Sequence, residues 1–134
     1  MNNVTDIAIL VLRIGLGVIF IAHGSQKCFG AFGGPGIQGV SAMVKGLGFS
    51  PPLLWAWALA CSEFIGGLFV LFGVFPRIGA AVIGIAMAVA IAKVHGPKGF
   101  FLMQGGFEYP FLILMVCISI IISGAGRFSL FNKL

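Results

Sequence analysis

The sequence predicts an all-α integral membrane protein, a bundle of four spanning helices with a short interfacial helix between spans one and two. Its 134 residues are 60% hydrophobic and only 8% charged, whereas soluble domains carry about 25% charged residues. Four apolar stretches, at 5–24, 53–73, 77–95 and 109–125, approach the roughly 20 residues that a helix needs to cross a bilayer. Because little chain remains outside them, we expect a single transmembrane domain over residues 1–134.

Span one is expected to run from Thr5 to about Gly24. No Lys or Arg precedes the apolar run, so we expect a retained span and not a cleaved signal peptide. Helical steps of three and four residues place Arg13, Gly17, Gly24 and Lys27 on one face. The two glycines on that face allow a partner helix to approach closely.

The interfacial helix is predicted within residues 28–52, which are rich in glycine and proline. Inside this stretch Ile37, Val40, Val44 and Leu47 recur at helical spacing. Such an amphipathic segment is typical of a short helix that lies in the membrane interface.

Span two follows Pro52, a favoured residue in the first turn of a helix. Ala56, Ala60, Glu63 and Gly67 recur every three or four residues, and the face that they form is small except for the carboxylate. This face is therefore expected to pack inward.

Spans three and four are joined by residues 96–108, and span four opens at Tyr109-Pro110. In span three, Ala80, Gly84, Ala88 and Ala92 form a second row of small residues at steps of four. The short turn between spans two and three makes those helices antiparallel neighbours.

Glu63 lies within an apolar span, where an unpaired carboxylate costs at least ~2.5 kcal/mol. Counting ~1.5 Å per residue, Arg13 and Glu63 both fall near the middle of antiparallel spans. We therefore expect a buried Arg13–Glu63 ion pair, with the guanidinium chosen for its fork of donors. The alternative is that Arg13 extends to one surface and Glu63 is protonated.

A polar cluster is predicted at one membrane face, where the end of span one meets the start of span two, the end of span three and the start of span four. Histidines beside a carboxylate and lysines can bind a quinone headgroup or a small anion, or relay protons. Their spacing fits no metal motif, so no metal site is expected. The alternative to a binding site is that these residues are ordinary interfacial polar side chains that form charge pairs. The proposed binding residues are His23, Lys27, His95, Gln104 and Glu108, with Trp55 and Lys93 beside them.

The charge pattern and the cysteines disfavour two other classes of protein, nucleic-acid-binding proteins and dithiol relays. The net charge is +5, but the eight Lys and Arg are scattered singly, which does not favour nucleic-acid binding. Cys28, Cys61 and Cys117 form no Cys-x-x-Cys motif, which disfavours a quinone-linked dithiol relay. Buried cysteine usually behaves as a small hydrophobic residue.

A series of short motifs, in order along almost the whole chain, resembles the DoxX family of small membrane proteins. The family often carries an acidic residue after the final Ser-Leu, where this chain has Phe131-Asn132. The motifs occupy residues 12–17, 23–27, 63–67, 95–101, 105–110 and 124–130.

The resemblance implies a four-helix protein of the cell inner (plasma) membrane. The family takes its name from subunits of an archaeal thiosulfate:quinone oxidoreductase, and other members look like accessory membrane partners of redox systems. Fold follows from such a resemblance more directly than function does.

We therefore expect a membrane subunit associated with a quinone-linked oxidoreductase, whose polar cluster binds a quinone or a small anion. The sequence leaves the cofactor open, with quinone as the candidate. The alternatives are a non-catalytic anchor or assembly subunit of a larger complex, and a small-solute or proton pathway. The expected partners are the lipid bilayer and either other membrane or redox subunits or further copies of the chain. Both termini are expected on the cytoplasmic side, and the sequence leaves open the substrate and whether the chain is catalytic.

Overall fold

The computed structural model describes residues 2–131, and within them the chain is helical and forms no strand. A π-helical turn, Ile91–His95, continues the fourth helix, and short 3-10 turns interrupt the loops. The α-helices are α1 (Asn3–Phe29), α2 (Gly36–Gly46), α3 (Pro52–Phe72), α4 (Pro76–Ala90) and α5 (Glu108–Ser123).

The ends of α1 are fixed by its flanking residues. The Asn2 side chain accepts the Thr5 N–H at 2.9 Å and caps the first turn. At the other end, Gly30 adopts a left-handed conformation (φ 68°) and its N–H bonds to the Gln26 carbonyl. The helix therefore continues beyond the expected end near Gly24, because its polar last turns have partners inside the protein.

In the described part of the chain, three helices are long and apolar enough to cross a membrane: Asn3–Phe29, Pro52–Phe72 and Pro76–Lys98. The apolar helix Glu108–Ser123 has 16 residues, or about 24 Å at 1.5 Å per residue. That length is shorter than the ~30 Å of a typical hydrocarbon core. The chain is therefore a membrane protein built as a bundle of apolar helices.

The helices pack in sequence order, α1 on α3, α3 on α4 and α4 on α5, while α2 packs beside α3. The apolar core lies between α1, α3, α4 and α5. Its buried members are Leu16, Phe20, Val70, Ala80, Ile83, Ile113, Cys117 and Ile120.

Glycines bring the backbones of α1 and α3 into contact, as the sequence predicted for Gly17 and Gly24. A Cβ atom on Gly24 would lie 2.5 Å from the backbone N and Cα of Phe64, closer than any side chain tolerates. The antiparallel register is given by three facing pairs: Gly17 with Leu71, Ile21 with Gly67, and Gly24 with Phe64.

The predicted row of small residues in span three packs tightly over only half of its length. Ala80 and Gly84 are buried, whereas Ala88 and Ala92 are exposed. Gly79 meets α3 closely, since a Cβ atom there would lie 2.7 Å from the Gly66 carbonyl oxygen. Beyond Gly84 the helix no longer meets α3 in this way, and a cavity opens.

Arg13 ties the opposite end of the bundle together. Its side chain is 1% exposed, and every bond that it donates goes to a backbone carbonyl. Nε donates to Val70 at 2.9 Å and Nη2 to Leu71 at 3.0 Å, at the end of α3 where helical carbonyls lack backbone partners. Nη1 donates to Ala125 at 2.7 Å and to Phe128 at 2.6 Å. One guanidinium thereby joins α1, α3 and the segment that follows α5.

That final segment folds back against the bundle. The Arg127 N–H donates to Oδ1 of Asp6, a buried carboxylate in the first turn of α1, at 3.0 Å. The Leu130 N–H donates to the Phe72 carbonyl at 3.1 Å. Residues 6 and 127 are thus neighbours at one end of the bundle. Asn132, noted above for its departure from the family pattern, lies outside the described residues.

We expect Gly24→Ala to destabilise the protein by about 1–3 kcal/mol, because overpacking a tight contact has that cost and the obstructing atoms belong to the α3 backbone. Thermal unfolding in detergent measures the change. Gly15→Ala is the matched control, since a Cβ atom at Gly15 meets nothing within 4 Å and alanine favours helix by ~1 kcal/mol. Equal stabilities of the two variants would contradict close α1–α3 packing.

Arg13→Lys should lower the free energy of unfolding by about 3 kcal/mol, because a single ammonium cannot reach all four carbonyls and bonds to charged donors contribute ~1.5–3 kcal/mol each. Denaturant titration in mixed micelles measures it. Arg127→Lys is the control: its side chain makes one exposed contact, 3.4 Å to Asn3, and should change stability by no more than ~0.5 kcal/mol. A similarly small loss for Arg13→Lys would show that the guanidinium fork is dispensable.

Candidate functional site

A cavity of about 550 Å³ lies between α1, α2, α3, α4 and the start of α5. This volume is within the ~300–1,000 Å³ typical of small-molecule sites. Most of its wall is apolar side chains. The polar exceptions are His23, Lys27, Trp55, Ser62, Glu63, Lys93, His95 and Tyr109.

One wall of the cavity comes from α2 and the turn that follows it. Val44 is buried against Ala56 of α3, while Met43 and Leu47 face the cavity. The Phe49 and Trp55 rings lie 5.7 Å apart. A short helix therefore lies between α1 and α3 in the sequence, and it contributes directly to the site.

Lys27 and Glu63 form an ion pair in this cavity. Lys27 Nζ lies 2.5 Å from both carboxylate oxygens, and the two side chains are 21% and 2% exposed. The carboxylate within the apolar span therefore has the cationic partner that its burial requires.

The predicted Arg13–Glu63 pair is wrong, because Glu63 pairs with Lys27. The register of α1 on α3 sets Arg13 against the last turn of α3, whereas Glu63 is nine residues before Phe72, about 14 Å along the helix axis. The depth count assumed that the start of α1 lies level with the end of α3, as it would in antiparallel spans of equal extent. In fact α1 extends well beyond the end of α3.

His95 closes the π-helical turn at the end of α4, and such turns often occur at functional sites. Its Nδ1 lies 2.8 Å from the Gly105 carbonyl oxygen. Because a carbonyl only accepts, Nδ1 carries the proton, and in the neutral ring Nε2 is then an acceptor. The same bond holds the loop of residues 96–107 against α4.

The structure brings some of the predicted binding residues together and separates others. His23, Lys27 and His95 line the cavity. Gln104 is exposed in a short 3-10 turn, and Glu108 is half-buried in the first turn of α5. Neither is part of the cavity wall.

Sequence reasoning missed Tyr109 and Ser62 as cavity residues. Tyr109 had been considered only as the start of span four, although its position beside the predicted cluster was a usable signal. Ser62 carried no such signal, since its hydroxyl donates to the Ala58 carbonyl at 2.6 Å as many helical serines do. Within residues 2–131, no three His, Cys, Asp or Glu side chains lie close enough together to hold a metal ion.

The chemistry of the cavity suits a ligand that is mostly apolar and polar at one edge. Lys27 and Lys93 are donors that can bind a carbonyl oxygen or an anion. With Nδ1 of His95 donating to Gly105, its Nε2 can accept a hydrogen bond from a hydroxyl group. Aromatic side chains such as Trp55 offer flat apolar surface.

Comparison with known proteins places the chain in a family. A sequence model of the DoxX family matches residues 8–96. The chain is 30% identical over 125 residues to a Bacillus subtilis (strain 168) protein named "Putative oxidoreductase CatD", covering 93% of this chain and 85% of the relative.

Two uncharacterized proteins of Haemophilus influenzae are also similar. They are 27% and 31% identical to the chain, covering 94% and 91% of it and 82% and 87% of their own lengths. No solved structure matches the chain.

We expect Glu63→Gln to destabilise the protein by about 3 kcal/mol, because it leaves the Lys27 ammonium without its counter-charge in a mostly apolar setting. The estimate is at the low end of the range for buried pairs, since Lys27 keeps some exposure. Denaturation in mixed micelles measures it.

The double variant Lys27→Met/Glu63→Leu should recover at least half of that loss, because apolar side chains replace both charges. Lys45→Met, at an exposed position of α2, controls for general loss of a lysine. If the double variant loses as much free energy of unfolding as Glu63→Gln and Lys27→Met lose when their separate losses are added, the two charges do not act as a pair.

Proposed function

This chain belongs to the DoxX family, and we propose that it is a membrane subunit associated with a quinone-linked oxidoreductase, whose cavity binds the quinone headgroup. The observation that carries this proposal is the cavity itself, in which Lys27, Lys93 and His95 interrupt a mostly apolar wall of ligand-sized volume. The relative named "Putative oxidoreductase CatD" supports the association with redox chemistry.

The proposal includes a single four-span domain over residues 1–134, with α5 as the fourth span. Helix α5 packs on α4 through Ile113, Cys117 and Ile120, and its outer face is also apolar, with Leu112 and Ile122 exposed. A slightly short helix can span by local thinning of the bilayer.

Helix α2 is proposed to lie toward the membrane interface, with exposed Lys45 directed to water. Residues 6 and 127 lie at one end of the bundle, which is consistent with both termini on the same side. We propose that this is the cytoplasmic side of the inner (plasma) membrane.

A quinone ring in the cavity would lie against apolar side chains, and its oxygens would meet the polar edge. The ammonium groups of Lys27 and Lys93 would donate to a quinone carbonyl. With Nδ1 donating to Gly105, Nε2 of His95 would accept a hydrogen bond from the hydroxyl group of the quinol. Glu63 would hold Lys27 in position through the ion pair. Electrons would come from a partner subunit or a small reductant.

A second candidate function is a membrane subunit that anchors or assembles a larger complex. One face of α1 favours it, because exposed Val4, Ile7, Val11, Ile14 and Val18 recur at alternating steps of three and four. Such spacing is typical of a seam between helices, although lipid covers apolar side chains equally well.

We expect His95→Ala, Lys93→Met and the cavity-filling Ala90→Trp each to weaken binding of decylubiquinone by tenfold or more, which is ~1.4 kcal/mol. Quenching of tryptophan fluorescence measures binding to the detergent-purified protein. Because Ala90→Trp adds a tryptophan and so changes that signal, its binding is compared with that of the parent chain by equilibrium dialysis. Gln104→Ala and Lys98→Met lie outside the cavity wall and should bind as the parent chain does.

Mass spectrometry of protein gently extracted from its own membrane separates the two candidate functions. Retained quinone, lost in His95→Ala, favours the quinone site. A stoichiometric partner chain without quinone favours the anchoring role. Unchanged affinity in all three cavity variants would reject the cavity as a quinone site.

A further inference from the structure

Two of the three cysteines lie on neighbouring turns of α1 and α3, although they are 33 positions apart in the sequence (61 − 28). Cys28 is one turn beyond Gly24 in α1 and Cys61 one turn before Phe64 in α3, and Gly24 and Phe64 face each other. Both are free and partly exposed, whereas Cys117 is buried in the core. The expectation that the cysteines do not act as a dithiol was based on their spacing along the chain, which does not measure their distance in space.

The register of α1 on α3 is the observation that places these two residues at the same level of the bundle. Gly24 faces Phe64 with the two backbones in contact, and one further turn brings Cys28 level with Cys61. A disulfide needs Cα atoms about 4.4–6.8 Å apart, which only helices in close contact provide. The glycine that brings the helices together is one turn from the thiols.

The surroundings of the thiols differ from the cavity. Neither cysteine lines the cavity, although Lys27 and Ser62, the residues beside them in sequence, do. Phe29 directly follows Cys28, and Phe64 is one helical turn after Cys61. The rings of these two phenylalanines stand edge to face with centroids 5.4 Å apart, and Phe29 is 69% exposed. The approach to the thiols is therefore apolar and aromatic, which favours a flat, lipid-soluble reactant over a charged water-soluble one.

We propose that Cys28 and Cys61 form a dithiol/disulfide site that reduces a lipid-soluble quinone. One sulfur loses its proton and bonds to a ring carbon of the quinone. The second sulfur attacks the first, the S–S bond forms, and the carbon–sulfur bond breaks. The ring leaves with two electrons and, after taking up the two thiol protons, is the quinol. The quinone is the oxidant, and the two thiols are the reductant.

The disulfide would also affect the cavity without lining it. It closes the chain between Cys28 and Cys61, and that loop contains α2, whose Met43 and Leu47 form one cavity wall. Closing a loop restricts the unfolded and locally opened states of the segment within it. The redox state of the thiols would thus set how freely this wall moves.

The test uses the full-length protein in detergent, reduced with dithiothreitol and then freed of it. Decylubiquinone is chosen because its ring carries no hydrogen, so a thiol adduct cannot lose a ring proton to become a stable hydroquinone thioether. We expect about one equivalent of quinol per chain by absorbance, a mass loss of two hydrogens, and a Cys28–Cys61 crosslinked peptide after proteolysis. Cys28→Ser and Cys61→Ser should each abolish all three signals, and Cys117→Ser should leave them unchanged.

Two further comparisons make the result decisive. His95→Ala tests the cavity and not the thiols, so unchanged quinol formation in that variant separates this site from the proposed cavity site. Glutathione disulfide is the water-soluble comparison oxidant and should form the crosslink at least tenfold more slowly. Free thiols after exposure to quinone, or a crosslink formed only by glutathione disulfide, would overturn the proposal.

Discussion

The close antiparallel contact between α1 and α3 determines where Lys27, Glu63 and Arg13 lie relative to one another. Gly17, Gly24 and Gly67 let the two backbones touch, and in an apolar solvent such close packing is a main source of helix association. Once that register is fixed, Lys27 falls beside Glu63 and Arg13 falls at the end of α3. A shift of one turn would leave the carboxylate without its partner in an apolar span, so the ion pair and the glycines reinforce a single register.

The helices could be predicted from the sequence, because apolar runs and flanking glycine and proline are local signals. The ion-pair partner could not be chosen by depth alone, since the start of α1 extends well beyond the end of α3. Lys27 had been placed on the same face as Gly17 and Gly24, and that face does pack against α3. The relevant signal was therefore the shared face and not the residue count. Glu63 itself was recognised as a residue that must be paired.

The candidate site was predicted in part, for a related reason. The topology placed His23, Lys27 and His95 at one end of the bundle, because that step needs only the order and direction of the helices, and the three side chains line the same cavity. It also gathered Gln104 and Glu108, which the cavity does not include. Which way a loop side chain faces depends on backbone detail, such as the bond from His95 to Gly105 that folds the loop onto α4. No periodic pattern in the sequence encodes that bond.

Buried Arg13 and half-buried Lys27 divide the bundle into a fixed end and an open end. The guanidinium of Arg13 has five donors in a planar fork, and it satisfies carbonyls of α3 and of the final segment at once. A lysine could not bridge three segments in this way. Lys27, a compact charge, needs only the carboxylate of Glu63, and the space beside that pair remains open as the cavity. At the open end, the π-helical turn before Gly96 and the left-handed glycines at 99 and 105 replace regular helix. Irregular backbone at membrane depth is tolerated where it is buried in protein or lines a cavity. Ligand exchange is therefore expected at the Lys27 end, because the hydrogen bonds that would resist opening are concentrated at the Arg13 end.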